Sequence, residues 1–457
     1  MRITSTFFVL GAVYVLGQQQ ENSSSIIYQL SSDPEFAFLL EEYMSLSNGG
    51  GANTGEVLRL ASQITPGDFE SWYSEFKYMA DSLHEKADAI DKKRFPVSAR
   101  DTYFRSASYY RGADFFLHSN QSDPRIFSLW DSALADFDTA TSLLPNPPFR
   151  KNLTGDGFDI PIMFFPAATV GHGNHNASRP QGRIPTVIVG SGYDGSQEAL
   201  YHSIGRAITE RGWNYVSYEG PGQPTVRRQQ KIGFIPNWWD VVTPIVDYLE
   251  SRLDVDAQKV ALIGESFGGT LAPMAASREH RISAVLAIDG LMSLFKALTS
   301  QLPDALNNLF ASGNSEVFDE TMLGLMNNAT VPTQFRWVIA QGLWSFNTTS
   351  PFEWFTRLSK IALDEEIVAN ITCPTFVGDG EHDTLAGSGQ PQELAAALGS
   401  LATYNQFKQD LGAGEHCQIG AEAQLAQVSL DWLGDVWDGI KLSNNITSGA
   451  YKASQNF

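Results

Sequence analysis

A serine flanked by glycines is the residue whose setting suggests chemistry most directly. Ser266 lies in the segment Gly264–Gly269, which reads GESFGG and directly follows an apolar run at 260–263. Small residues on both sides allow a sharp turn from a strand into a helix, and such a turn presents a hydroxyl at the end of a sheet. Residues 270–276 are compatible with that helix. The pattern predicts a nucleophile for attack on a carbonyl carbon, with an ordinary Gly/Ser loop as the alternative.

A serine nucleophile needs a base that accepts its proton, and His416 is the predicted base. Of the eight histidines, only His416 lies after the last predicted strand and before a closing helix at 421–433. Its loop, 412–417, is rich in small residues and can therefore bring an imidazole back towards the serine. His382 precedes the last strand and is interpreted as a loop side chain.

The acid that orients this base is predicted in the loop after a strand at 374–377. Three carboxylates are available there. Asp383 is preferred over Asp379 because the acid usually lies a few residues beyond the strand, within reach of the histidine. Asp379 and Glu381 are interpreted as parts of a solvated, acid-rich turn.

Attack on a carbonyl also requires donors for the negative charge that develops on its oxygen. The backbone N–H of Phe267, directly after the nucleophile, is the first predicted donor. The backbone N–H of Tyr193 is the second, from the loop Gly190–Gly195 that follows a predicted strand at 185–189. The glycines of this loop permit close approach of the backbone, although a plain glycine turn would have the same composition.

The elements that must position these residues fall into blocks. Residues 33–145 show apolar residues at helical spacing and no convincing strand. From about residue 149, strand and helix patterns alternate, which is typical of a mostly parallel sheet. The predicted strands lie at 158–165, 185–189, 213–218, 259–263, 284–288, 374–377 and 403–407.

A third block interrupts the sheet pattern between residues 289 and 373. Its helical patterns are rich in Phe, Trp, Leu and Met, and an insertion at this point is predicted to cover the carboxyl ends of the strands as a cap. Trp337, Trp344 and Trp354 are interpreted as the cap's own core, with the lining of a substrate pocket as the alternative.

The amino terminus has the pattern of a secretory signal. Arg2 precedes a short apolar stretch at 7–16, which is too short to span a bilayer and ends at Gly17. The mature chain is predicted to begin near Gln18, and an uncleaved anchor is the alternative. The predicted division is a signal peptide (1–17), a helical region (18–147), the first part of the core (148–289), a cap insertion (290–372), the second part of the core (373–440) and a tail (441–457).

Eight acceptor triplets for N-linked glycosylation support export of the chain. A secreted or secretory-pathway protein is therefore expected. The acceptors are Asn22, Asn120, Asn152, Asn176, Asn328, Asn347, Asn370 and Asn445.

The charge of the chain restricts its partners. The 457 residues carry a net charge of −20, which argues against nucleic acid and anionic membrane surfaces because phosphate binding needs clustered Lys and Arg. The expected substrate is a neutral or aromatic small molecule, and no membrane span is expected once the signal is removed. The sequence leaves the oligomeric state open.

The predicted chemistry requires no metal and no other cofactor. The segment 172–175, His-Gly-Asn-His, has the polarity of a metal site, but it lies in a Gly/Asn/Pro-rich connection and is interpreted as a loop. Cys373 and Cys417 are predicted to be free thiols. They are expected at opposite ends of a strand, farther apart than the roughly 7 Å that disulfide-linked Cα atoms allow.

The chain resembles the capped α/β-hydrolases related to 2,6-dihydroxypseudooxynicotine hydrolase and to the fungal hydrolases that shorten or cyclise polyketides. The resemblance covers roughly residues 95–435. Two positions differ from the usual pattern: Glu219 replaces Asp, and Pro224 stands where the loop usually continues with Gly. The segments that carry the resemblance are 103–111 (YFRSASYYR), 192–195 (GYDG), 219–223 (EGPGQ), 264–269, 381–383 (EHD), 389–391 (GQP) and 416–418 (HCQ).

The resemblance implies an α/β-hydrolase fold, with a mostly parallel sheet, an N-terminal helical region and a helical cap inserted before the acid-bearing strand. It also implies a triad of Ser266, Asp383 and His416. In the resembled family the cleaved bond is often a C–C bond next to a ketone in an aromatic or polyketide system, and an ester or thioester is mechanistically as accessible. A peptidase, an acyltransferase and a non-catalytic binding protein are the alternatives.

The resemblance further implies that the helix carrying Tyr103, Arg105 and Tyr110 faces the substrate pocket. The sequence by itself would place these three side chains on the polar flank of an amphipathic helix.

Overall fold

The computed structural model describes residues 27–168, 182–386 and 389–440, together with the backbone of 445–446. The predicted signal peptide, Asn22, Asn176 and the segment 172–175 lie outside the described residues.

Contacts between Cα atoms divide the chain into two units. One contains the residues up to Ala140, Lys231–Gly233 and Phe295–Lys360, and the other contains Thr141–Gln230, Phe234–Leu294 and the residues from Ile361.

In the described part of the chain, five α-helices precede the first strand. Asp33 and Asp68 cap the first and third helices by accepting backbone N–H groups of the first turn. Trp72 packs its ring on Phe76, with centroids 4.5 Å apart, and donates its indole N–H to the Gly112 carbonyl at 2.9 Å. The helices are α1 (Pro34–Ser45), α2 (Thr54–Gln63), α3 (Phe69–Ala89), α4 (Pro96–Asp114) and α5 (Arg125–Ser142).

The other unit is built on a nine-stranded sheet with the spatial order β1-β2-β4-β3-β5-β6-β7-β8-β9. Strand β2 is antiparallel to β1 and β4, and the remaining pairs are parallel, so the predicted mostly parallel sheet is confirmed. The strands are β1 (Phe149–Thr154), β2 (Asp159–Phe165), β3 (Ile184–Gly190), β4 (Asn214–Tyr218), β5 (Val255–Glu265), β6 (Ala284–Ile288), β7 (Thr375–Gly380), β8 (Ala402–Phe407) and β9 (Asn445–Ile446).

The order of the central strands decides which chain segments meet. Strand β6 pairs with β5 on one side and with β7 on the other. Because all three strands are parallel, their carboxyl ends lie side by side at one edge of the sheet. The residues that follow these ends, Ser266, Asp289 and the segment from Glu381, are therefore neighbours.

Helices connect the strands of the first part of this unit. A π-helical turn at Tyr201–Gly205 joins the two short helices that follow β3. These helices are α6 (Gln197–Leu200) and α7 (Arg206–Glu210), followed by α8 (Pro224–Gln230), α9 (Trp239–Glu250) and α10 (Gly268–Ala276).

The insertion after β6 is helical and packs with the amino-terminal helices. The Trp337 ring stacks on Phe115 with centroids 5.2 Å apart, and the Trp344 ring stacks on His118 at 5.0 Å. Both tryptophans are buried, as is Trp354, in agreement with their interpretation as core residues. The helices are α11 (Leu294–Gln301), α12 (Asp304–Ala311), α13 (Ser315–Met326), α14 (Thr333–Ser345) and α15 (Pro351–Leu358).

The α-helices described in the closing part of the chain are α16 (Glu365–Ala369), α17 (Gln390–Leu398) and α18 (Glu422–Trp437). In the part of the chain that the structure describes, no helix has the length and apolar character needed to cross a membrane.

Strand β7 is longer than predicted, and this corrects one interpretation. It continues to Gly380, so Asp379 lies within the strand and pairs with Gln406 of β8. The Asp379 side chain is buried and accepts hydrogen bonds from the Tyr404 hydroxyl and from the Gln392 amide at 2.7 Å. The prediction of a solvated turn is therefore wrong for Asp379, whereas Glu381 does lie at the surface and pairs with Lys408 at 2.9 Å.

Candidate active site

The segment around Ser266 forms a sharp turn between β5 and α10. Ser266 has a φ of 60°, which a non-glycine residue rarely adopts. A Cβ atom at Gly264 would lie 1.9 Å from the Gly268 carbonyl oxygen, so only glycine fits there. The Ser266 N–H donates to the Ile288 carbonyl at 3.2 Å, which ties the turn to the end of β6. The predicted strand-to-helix turn is thus present, with the serine in a strained conformation.

The structure brings Ser266, His416 and Asp383 into one hydrogen-bonded chain. Nε2 of His416 lies 2.8 Å from Oγ of Ser266, and Nδ1 of His416 lies 2.7 Å from Oδ2 of Asp383. His416 begins a short 3-10 turn after β8, and its side chain is 10% exposed. Asp383 follows β7 by three residues and is 3% exposed. A buried imidazole in this position can move a proton between the serine and a bound molecule.

Backbone donors fix the orientation of Asp383. The N–H groups of Leu385 and Ala386 donate to Oδ1 at 2.8 and 2.9 Å, which leaves Oδ2 directed at the imidazole. Burial acts to raise the pKa of Asp383, but the charge of His416 and these hydrogen bonds outweigh it and keep the pKa below its usual value. Asp383 is therefore ionised at neutral pH.

The same interaction sets the protonation of His416. Burial acts to lower the pKa of His416, but the adjacent Asp383 carboxylate, together with Cys417, outweighs burial and holds the pKa well above the usual 6.5. The pair is therefore tuned to stabilise an imidazolium ion, the species that forms when the histidine accepts the serine proton.

A second carboxylate, Asp289, contacts the same histidine and was not predicted from the sequence. Asp289 follows β6, has no exposed side-chain surface, and places Oδ2 3.3 Å from Nδ1 of His416. Burial and the charge of Asp383 raise the pKa of Asp289 to about 7, against opposing effects of His416, Cys417 and Gln418. The available signal was an acidic residue directly after the apolar run 284–288.

Asp289, His416 and Cys417 also form the one group of described His, Cys, Asp and Glu residues that could hold a metal ion. Their ligand atoms lie within 4.8 Å of one another. A cation bound there would draw on the same His416 and Asp289 groups that form the hydrogen bonds described above. Cys417 and Cys373 are both free thiols, as predicted, and burial raises the pKa of each.

The loop after β3 lies against the serine turn. A Cβ atom at Gly192 would lie 2.7 Å from the Phe267 nitrogen and 2.8 Å from Cβ of Ser266, so the close approach requires glycine. The Tyr193 ring stacks on Phe234 with centroids 6.4 Å apart. The Phe267 N–H belongs to the first turn of α10, where backbone donors have no partner within the helix. Gly192, the residue before Tyr193, therefore lies next to the backbone nitrogen of Phe267, which is one of the two predicted oxyanion donors.

Gln223 anchors that loop from the segment after β4. Its side-chain amide donates to the Ser191 carbonyl at 2.9 Å and to the Gly192 carbonyl at 3.3 Å, and its oxygen accepts the Gly220 N–H at 2.8 Å. Gln223 is completely buried. These bonds give a physical role to the segment EGPGQ, which is one of the segments that carry the resemblance.

The two departures from the resembled pattern also have local explanations. Glu219 is buried and accepts the N–H groups of Gln197 and Thr225, at 3.3 and 2.5 Å, at the starts of α6 and α8. Pro224 is the first residue of α8, a position where proline costs no hydrogen bond.

The three predicted pocket residues of α4 each bind an acidic residue of the amino-terminal helices. The Tyr103 hydroxyl donates to Asp88, and the Tyr110 hydroxyl donates to Asp81 at 2.9 Å. Nε of Arg105 donates to Glu56 at 3.1 Å. These bonds orient all three side chains within the helical unit, and their role towards a substrate stays a prediction.

No protein-family model matches the chain. The chain is 29% identical over 399 residues to the hydrolase LUC6 of Fusarium sp., which covers 85% of this chain and 93% of that protein. It is also 29% identical over 407 residues to the 20-hydroxy-prefusarin hydrolase FUS2 of Gibberella moniliformis, covering 84% of this chain and 92% of FUS2.

A solved structure shares the fold over nearly its whole length. The 2,6-dihydroxy-pseudo-oxynicotine hydrolase superposes with a TM-score of 0.65 at 17% sequence identity, covering 89% of this chain and 98% of that chain. The chain therefore has the α/β-hydrolase fold and is an α/β-hydrolase related to these fungal hydrolases.

Proposed function

We propose that this protein is a serine hydrolase in which Ser266 is the nucleophile, His416 the general base and Asp383 the acid that orients it. The observation that carries the proposal is the unbroken chain of hydrogen bonds from Asp383 through His416 to Ser266, at 2.7 and 2.8 Å. The strained backbone of Ser266 adds support, because such strain concentrates at sites where the reacting group must be held in place.

The reaction follows from this geometry. His416 takes the Ser266 proton through Nε2 while Oγ forms a bond to the substrate carbonyl carbon, and the carbonyl oxygen takes up the negative charge. The backbone N–H groups of Phe267 and Tyr193 are the proposed donors to that oxygen. As the bond to the leaving group breaks, His416 returns its proton to the leaving atom. Water then attacks the acyl-enzyme, with His416 again as the base, and restores Ser266.

The proposed substrate is an aromatic or polyketide-type small molecule that is cleaved at a C–C, ester or thioester bond next to a carbonyl. Support comes from the related proteins, since the names of FUS2 and of the pseudo-oxynicotine enzyme refer to small organic molecules. The net charge of −20 further favours a neutral substrate. For a C–C bond the leaving atom is carbon, stabilised by the neighbouring carbonyl, and it receives the proton that His416 holds.

A fluorophosphonate probe, which reacts with activated serines, tests the nucleophile. We expect the wild type to label and Ser266→Ala to remain unlabelled, while Ser312→Ala, at an exposed serine of the helical unit, labels like the wild type. Equal labelling of the wild type and Ser266→Ala would end the proposal.

The bond is tested by incubating the same proteins with aryl esters, peptides and aromatic 1,3-diketones and identifying the products by mass. We expect Ser266-dependent cleavage of esters and diketones. Cleavage of esters alone would remove the C–C bond from the proposal, and cleavage of peptides would make the protein a peptidase.

We also propose that the protein enters the secretory pathway, on the basis of its amino-terminal pattern and acceptor triplets. Three of the described acceptors, Asn120, Asn152 and Asn347, are exposed and therefore accessible to a glycosyltransferase.

A further inference from the structure

Asp289 is a buried carboxylate at the proposed active site with no part in the reaction described so far. It lies at the end of β6, between the strand that leads to Ser266 and the strand that leads to Asp383. Nδ1 of His416 therefore faces two carboxylates, Asp383 Oδ2 at 2.7 Å and Asp289 Oδ2 at 3.3 Å.

The protein holds Asp289 in place with considerable local strain. Asp289 itself has a φ of 52°, and the two residues that follow His416, Cys417 and Gln418, have φ values of 53° and 54°. Non-glycine residues with positive φ are uncommon, and such strain persists only where surrounding structure imposes it. Here three strained residues meet at one contact.

The two carboxylate oxygens of Asp289 accept hydrogen bonds from three donors and have different surroundings. Oδ1 accepts the Gly380 N–H at 3.2 Å and the Gln418 amide at 3.0 Å, which fixes the carboxylate to the neighbouring loops. Oδ2 accepts the Cys417 N–H and is the oxygen that approaches the imidazole. If Asp289 served only to join the neighbouring loops, these three hydrogen bonds would be sufficient. The geometry also places Oδ2 beside Nδ1 of His416.

We propose that Asp289 is a positioning residue that acts as a second orienting carboxylate for His416, sharing with Asp383 the stabilisation of the imidazolium ion. This inference rests on the proposed serine-hydrolase function. It predicts that the site tolerates loss of Asp383 better than a site with a single acid, because Asp289 still holds the protonated Nδ1 and its charge.

The first test compares Asp383→Asn, Asp289→Asn and the double variant in hydrolysis of a 4-nitrophenyl ester. In a single-acid triad, loss of the acid lowers kcat by about 10⁴-fold. We expect Asp383→Asn to lose only about 10²- to 10³-fold and the double variant to lose about 10⁴-fold or more. We expect Asp289→Asn alone to lose about 10-fold in kcat with KM little changed. Equal kcat values for Asp383→Asn and the double variant would overturn the proposal.

Gln418→Met is the matched control, because it removes a hydrogen bond to Asp289 and leaves the carboxylate beside His416. A structural anchor predicts equal losses of kcat in Gln418→Met and Asp289→Asn, and that result would also overturn the proposal. Ser266→Ala distinguishes a failure of the proposed serine-hydrolase function from a failure of the proposed role of Asp289. If it stays active, the proposed function fails, and if it is inactive while Asp289→Asn matches the wild type, only the role of Asp289 fails.

A second measurement needs no substitution of Asp289 and so does not depend on whether such a variant folds. Among the described residues, Asp289 and Cys417 remain beside His416 in Asp383→Asn, and burial raises the pKa of the Cys417 thiol, so Cys417 stays uncharged near neutral pH. If Asp289 supplies a negative charge, the acid limb of kcat/KM in this variant stays at or above the usual imidazole pKa of about 6.5. Burial alone would move the limb below that value, and such a result would contradict the proposal.

Discussion

The side-chain amide of Gln223 donates to the main-chain oxygen of Ser191 at 2.9 Å, and through this bond a residue after β4 fixes the loop after β3. The next residue, Gly192, lies so close to the serine turn that a Cβ atom there would be 2.7 Å from the Phe267 nitrogen. Gln223 therefore controls the distance between the two backbone segments from which the proposed oxyanion donors come.

We expect Gln223→Met to lower kcat for an aryl ester by about 10-fold, a fraction of the 10²- to 10³-fold that loss of one oxyanion donor costs. KM should change little, because the lost interaction acts in the transition state. Binding of a trifluoromethyl ketone that mimics the tetrahedral intermediate should weaken in parallel with kcat/KM. Gln230→Met is the control, since the Gln230 amide bonds the Asp159 backbone instead. An unchanged kcat in Gln223→Met would show that the loop holds its position without this side chain.

Asp379→Asn should show that the Asp379 carboxylate contributes to stability and not to catalysis. Asp379 accepts hydrogen bonds from Tyr404, Gln392 and Gln406 and none from His416 among the bonds that the structure describes. We expect kcat to stay within about twofold of the wild type, while thermal denaturation shows a loss of about 1 to 3 kcal/mol in the free energy of unfolding. A drop in kcat comparable to that of Asp383→Asn would instead make Asp379 the orienting acid.

The pH dependence of the wild type follows from the raised pKa of His416. Only the neutral imidazole accepts the Ser266 proton, so kcat/KM should rise with pH through the pKa of the free enzyme and fall tenfold per unit below it. Since Asp383 raises this pKa well above 6.5, the acid limb should lie on the alkaline side of that value. The measurement is ester hydrolysis from about pH 5 to about pH 10. A constant rate down to about pH 5 would contradict the assignment of His416 as the base.

Glycans are expected on the chain when it is expressed in a eukaryotic host with its own amino terminus. Treatment with peptide N-glycosidase should lower the mass of the secreted protein, and Asn120→Gln, Asn152→Gln and Asn347→Gln should each remove one glycan at these exposed positions. Ser122→Ala is the matched control for the first, because it keeps Asn120 but destroys its triplet. Retention of the full-length chain inside the cell, with an unchanged mass after treatment, would contradict export.

The sequence predicted the elements that carry Ser266, Asp383 and His416 because each lies at the end of an apolar strand or in a loop of small residues. It misjudged the end of β7, since Gly378, Asp379 and Gly380 have the composition of a turn. In the fold, Asp379 pairs with Gln406 and is covered by Tyr404, so tertiary pairing decides its conformation.

Asp289 was missed for a different reason. In the sequence it marks only the point where the strand pattern stops, and it is separated from His416 by 127 residues counted from their positions. Its importance depends on β6 lying between β5 and β7, and the order of strands across a sheet is not their order along the chain.

The packing of Trp337 on Phe115 and of Gln341 against His118 has a consequence for biosynthesis. The partners in the second pair are 223 residues apart, and strands β1 to β6 lie between them in the chain. At about 5 to 20 residues per second, a ribosome needs roughly 10 to 45 s to bridge that gap. During this interval Phe115 and His118 have been synthesised, whereas Trp337 and Gln341 have not. We therefore expect the amino-terminal helices to complete their packing only after α14 (Thr333–Ser345) has been translated.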